Sequence, residues 1–150
     1  MFCGNKVNQA MAHSETACND YELLSGLNVV LSSFCADMYI RLRIAKNVSA
    51  FILKSLPVPR DVATLKELGR MAMPLYAGDE FDAFRGDVAA LTDGEARAKL
   101  MAKLDARVAI MYGLTYEEYQ AVLDAFPLVE AQQKRRCLLA YNEWTFLRTR

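Results

Sequence analysis

With 150 residues, 53% of them hydrophobic and 24% charged, the chain is long enough for one domain with a real core and too apolar for a mainly disordered protein. Lys and Arg number 18 and so do Asp and Glu, so any attraction for a polyanion must come from where the charges sit. The four cysteines, Cys3, Cys18, Cys35 and Cys137, form no C-x-x-C pair, and with the single histidine, His13, they make no zinc-ligand set of the usual spacing.

The amino-terminal residues carry no long apolar region of the kind a secretory signal needs, and no run reaches the roughly 20 apolar residues of a membrane span. A cytoplasmic protein with reduced thiols is expected. Residues 6–11 read as a short extended piece behind a Cys-Gly-Asn turn, followed by a polar loop. Over residues 20–45 the spacing predicts one long helix: Leu23, Leu27, Val30, Leu31, Phe34, Met38 and Leu42 recur at steps of three and four. Arg41, Arg43 and Lys46 gather at its end, where cations suit the negative pole of the helix dipole, and Asn47 is the expected C-cap.

Residues 48–53 have the composition of a short strand, with Lys54 continuing it, and Pro57 and Pro59 end any ladder because they lack amide donors. Asp61 is placed to cap a helix that stops before Pro74. A further helix is expected from about Asp79, with Phe81, Phe84, Val88 and Leu91 on one face. Thr92 to Glu95 reads as a capping box opening a helix that carries Leu100, Leu104, Val108, Met111 and Tyr112 in register, with Gly113 as its left-handed stop. Thr115 and Glu118 form a second capping box, and Leu114 is set to staple onto Tyr119. After Phe126-Pro127 a last helix over residues 130–147 packs Leu138, Leu139, Tyr141, Trp144 and Phe146. The fold class that follows is mainly α, with five to six helices and one or two short β-strands.

Catalytic patterns are missing: there is no glycine-rich phosphate loop, no G-x-S-x-G and no H-E-x-x-H. The acids at Asp79, Glu80 and Asp82, and at Glu117 and Glu118, fall in first helical turns, where they complement the dipole. Charge placement is more informative. No acid lies between Asp37 and Asp61, while Arg41, Arg43, Lys46, Lys54 and Arg60 all fall in that window. With Asn47 and Ser49 in the turn between them, these uncompensated cations make a candidate phosphate-contacting edge. The run Lys134-Arg135-Arg136 reads as a solvated helix face.

The stretch GLNVVLSSFCADMYIRLRI followed by NVSAFILKSLPVPR resembles the carboxy-terminal part of the target-recognition region in bacterial N6-adenine DNA methyltransferases of the restriction-modification type, including fused type IIG enzymes. Leu27, Asn28, Ser33, Phe34, Asp37 and Arg41 match the family's helix, and Phe51, Leu53, Leu56, Pro57 and Pro59 match its strand and exit. FCGNKVNQAM is similar to the strand before that helix; LDARVAIMYGLTYEEYQAVLDAFPLV and KRRCLLAYNE are similar to the closing helices. The family's catalytic Asn-Pro-Pro-Tyr and its S-adenosylmethionine loop do not occur in this chain.

The resemblance implies a partial target-recognition lobe over residues 1–60 with a helical tail over residues 61–150 packed on it. It implies a non-catalytic DNA-recognition and scaffold module that binds double-stranded DNA weakly and in a salt-dependent way. S-adenosylmethionine would then belong to a methyltransferase catalytic subunit or an upstream domain, with no cofactor in this chain. The alternative reading is a helical protein-interaction module, homodimeric or bound to another chain, that associates through exposed strands and does not touch DNA.

Overall fold

The computed structural model describes residues 21–43, 54–59, 61–78 and 82–148. The protein is mainly α-helical. The strands expected over residues 6–11 and 48–53 lie outside the described residues, as do Cys3, Cys18 and His13. Lys54, expected to prolong the second strand, is helical. No single helix among the described residues is long and apolar enough to cross a membrane.

The predicted long amino-terminal helix is instead two, α1 (Tyr21–Ser32) and α2 (Phe34–Arg41), bent by 55° at Ser33. Ser33 causes the break. Its hydroxyl donates to the Val30 carbonyl at 2.7 Å, ending α1, and accepts from the Ala36 amide at 3.2 Å, capping α2. The second helix also stops earlier than expected, at Arg41 with Leu42 as its C-cap in place of Asn47.

After the Pro exit, α3 (Val62–Ala72) is capped by Asp61 as the sequence predicts, and it runs into a 3-10 turn at Met73–Leu75 opened by Pro74. Helices α1 and α3 cross antiparallel with their backbones in contact. A Cβ on Gly26 would stand 1.9 Å from the Leu65 carbonyl oxygen, and one on Gly69 would stand 1.8 Å from that of Glu22. Ser25 donates to the Gly69 carbonyl at 3.2 Å, and Arg70 pairs with Glu22 at 2.9 Å, so polar contacts fix the same crossing.

Of the helix expected from about Asp79, the described residues hold one turn, α4 (Asp82–Arg85), which ends there because Gly86 turns the chain at φ 62. Val88 is left exposed, and the Leu91 amide donates to the Pro74 carbonyl at 2.7 Å. Arg97 holds this connection down, donating to the carbonyls of Leu75 at 2.8 Å and Leu91 at 2.9 Å.

Three helices complete the fold: α5 (Gly94–Met111), α6 (Tyr116–Asp124) and α7 (Ala131–Arg148). The cap of α5 is Asp93, which accepts from the Ala96 amide at 2.6 Å; Thr92 is not the cap. Glu95 therefore does not close a capping box but pairs with Arg136 of α7. At the other end Gly113, at φ 74, lets the amides of Gly113 and Leu114 return to Ile110 and Ala109, the paired pattern of a left-handed helix stop. The Thr115–Glu118 capping box then forms as expected, with bonds of 2.8 and 3.2 Å.

Helix α5 is the centre of the molecule. One of its faces, with Leu104 and Val108, joins Val30, Leu65, Leu68 and Ala72 in a buried cluster that α1 and α3 share. The opposite face, with Ala102, Ala106, Ala109 and Ile110, builds a second cluster with Tyr119, Leu123, Cys137, Ala140 and Tyr141 from α6 and α7. The contacts Glu95 to Arg136, Lys103 to Glu143 and Lys103 to Trp144 advance together, so α5 and α7 run parallel, with α6 as the return. Arg107 reaches across both halves: it lies 3.8 Å from Glu67 of α3 and 5.2 Å from the Trp144 ring centroid of α7. On α7 the expected packing holds for Tyr141, which is buried, but Leu139 and Phe146 are 64% and 61% exposed because they fall on the outer face.

A basic corner at the end of α2

The candidate phosphate-contacting residues divide into three groups. Lys46, Asn47, Ser49 and Arg60 lie outside the described residues. Arg41 is within them but already engaged: its Nε lies 3.1 Å from one Asp37 carboxylate oxygen and its Nη2 3.1 Å from the other. Its guanidinium also stacks 4.6 Å from the Phe126 ring centroid. The expectation of an uncompensated cation at Arg41 is therefore overturned, since Asp37, four residues earlier on the same helix, is its partner. Arg43 and Lys54, the third group, are exposed.

Tyr39 contacts Arg43 and the residue after Lys54. Its hydroxyl donates to the Ser55 carbonyl at 2.7 Å, tying the end of α2 to the segment that leads into the prolines. The Arg43 guanidinium lies 3.6 Å from the Tyr39 ring centroid, and one of its nitrogens donates to the Tyr39 carbonyl at 3.4 Å. Arg43 thus lies over the ring whose hydroxyl holds Ser55, next in the chain to the exposed Lys54. A guanidinium held this way keeps donors at its edge for an anion while its face is desolvated.

What orients α2 lies beneath it. Phe34 packs against Phe126 at 5.0 Å between ring centroids, and the Phe34 backbone amide, in the first turn of α2, donates to the Asp105 carboxylate at 2.9 Å. The other Asp105 oxygen accepts from the Tyr119 hydroxyl at 2.7 Å. A carboxylate from the central helix thereby joins the N-terminus of α2 to α6. Burial pushes the Asp105 carboxyl up to about 6, although both hydrogen bonds pull it down. Burial, with the Asp105 charge second, pushes the thiols of Cys35 and Cys137 up to about 12 and raises Tyr119 as well. The Tyr112 hydroxyl is buried without a hydrogen-bond partner among the described residues, and burial raises it to about 12.

Neither Tyr39 nor Asp105 follows from the charge pattern as a member of this region. Tyr39 reads as a widening of an apolar stripe, and Asp105 enters only as part of the Leu-Asp pair in the closing-helix resemblance. Asp37 could have been found from its four-residue spacing to Arg41. Among the described residues no three His, Cys, Asp or Glu side chains gather as a metal-ligand group. No protein-family profile, curated protein or solved structure matches the chain.

Proposed function

We propose that the chain is a non-catalytic DNA-recognition and scaffold module of an adenine-specific DNA methyltransferase or restriction-modification protein. It holds duplex DNA weakly through the corner at the end of α2, while a separate catalytic part supplies the S-adenosylmethionine chemistry. The observation that carries this reading is that Tyr39 joins two exposed basic positions along the chain: Arg43 lies over its ring, and its hydroxyl holds Ser55, the residue after Lys54. The order of the quoted motifs supports the same reading. Arg41 acts within it as a brace, held on Asp37 and Phe126 so that α2 keeps its angle.

The test is a titration of the full chain with a fluorescent duplex at low and moderate salt. Binding that falls steeply with salt, as released counterions require, supports the reading. No binding at low salt, or binding indifferent to salt, overturns it.

A further inference from the structure

The outer face of α7 carries exposed residues at a regular spacing. Gln132, Arg135, Leu139, Asn142 and Phe146 follow one another at steps of three and four, so they form one stripe along the helix, opposite the buried Cys137, Ala140 and Tyr141. Leu139 is 64% exposed at the middle of the stripe, with Arg135 four residues before it and Glu143 four residues after it. Arg135 has no ion pair among the described residues. Glu143 lies 3.6 Å from Lys103, but its side chain is 63% exposed and open to a second cation.

This arrangement is self-complementary about one point. Against an antiparallel copy with the two-fold axis at Leu139, Arg135 meets Glu143 of the partner subunit on both sides, and the two Leu139 side chains meet at the centre. A parallel pairing would set Arg135 against its own copy. Antiparallel packing also places each helix N-terminus beside the other's C-terminus. We infer that the outer face of α7 is a homodimer interface, closed by two reciprocal Arg135–Glu143 pairs around Leu139. One helix face buries little area, so the dimer is weak and reversible, forming toward concentrations on the order of 0.1–1 mM. This inference concerns α7 alone and stands apart from the DNA reading at α2.

The test is sedimentation velocity of the full chain from about 20 µM to 1 mM, a span chosen to bracket a weak interface. The average mass is expected to climb toward twice the chain mass. Arg135→Glu and Glu143→Arg should each weaken association about tenfold or more by setting like charges face to face, and the double variant should recover it to within about threefold. Leu139→Asp should abolish it. All of these positions are exposed, so the helical circular dichroism of each variant should match the parent. A chain that stays monomeric throughout, or association that the single charge reversals leave unchanged, or a double variant that fails to recover, overturns the inference.

Discussion

The carboxylate of Asp105, in the middle of α5, accepts a 2.9 Å hydrogen bond from the backbone amide of Phe34, 71 residues earlier in the chain. Its folded carboxyl sits at about 6, above the ordinary 3.8, because burial disfavours the charge. A raised acid means that the folded state binds the proton more tightly than the unfolded one. The contribution of Asp105 to stability is therefore full below about pH 4 and is lost as pH rises through about 6. Asp105→Asn keeps an acceptor for Phe34 and, with its amide nitrogen, donates to the Tyr119 oxygen where the carboxylate accepted from it, while removing the charge. It should be as stable as the parent or more so at neutral pH, and the difference between the two should shrink toward pH 4. Asp105→Ala leaves both partners unsatisfied and should cost about 2–4 kcal/mol. Urea denaturation of the three proteins at several pH values checks the sign.

At the α1–α3 crossing, Gly26→Ala or Gly69→Ala would drive a methyl group into a backbone carbonyl, at 1.9 or 1.8 Å. The helices must separate, and each substitution should cost about 3 kcal/mol, at the upper end for overpacking. Gly94→Ala is the control. It starts α5 with nothing near the added Cβ, and should raise stability by roughly 0.5 kcal/mol through a stiffer unfolded chain. Thermal melts of the three variants separate these outcomes.

The two arginines near the end of α2 should behave differently. Arg41→Ala removes a paired and stacked side chain and should lower stability by about 1 kcal/mol. Arg43→Ala loses the Tyr39 stack and should cost about 0.5 kcal/mol, and Lys54→Ala should leave the melting temperature unchanged, while each lowers the slope of log affinity against log salt for duplex DNA by about 1. Equal effects of all three on that slope would remove the distinction between brace and contact.

Cys137 is fully buried and Cys35 partly so, and both thiols are held up near 12 by burial and the adjacent Asp105. The thiolate is the reactive form, so both should resist iodoacetamide at neutral pH in the folded protein and react once it is unfolded. Peptide mass mapping with and without urea reads this directly. Rapid labelling of Cys137 in the folded chain would contradict the packing of α7 on α5 and α6.

The features legible in the sequence are those whose causes are local. Gly113, Thr115 and Glu118 announce a joint because a left-handed stop and a capping box need only neighbouring residues. The central helix was legible because Leu104 and Val108 recur at helical spacing. The break at Ser33 was not, since Ser and Asp also occur within helices and the Phe34 amide finds its acceptor on a distant element. Thr92 and Asp93 are both competent caps, and the choice falls to Asp93 while Glu95 is drawn across to Arg136. The basic corner was legible as a charge pattern, but not its division: a list of cations cannot say that Arg41 lies on Phe126 or that Arg43 lies over Tyr39.

Helix α5 lends one face to each buried cluster, and Arg107 bridges α3 and α7 across it. Neither group of helices therefore has a core of its own to fall back on when the other comes apart. Heat should consequently melt the described helices in a single calorimetric transition, with the enthalpy measured by heat uptake equal to that from the steepness of the curve. Amide exchange in α1 and in α7 should then be limited by the same global opening, although they touch different sides of the molecule.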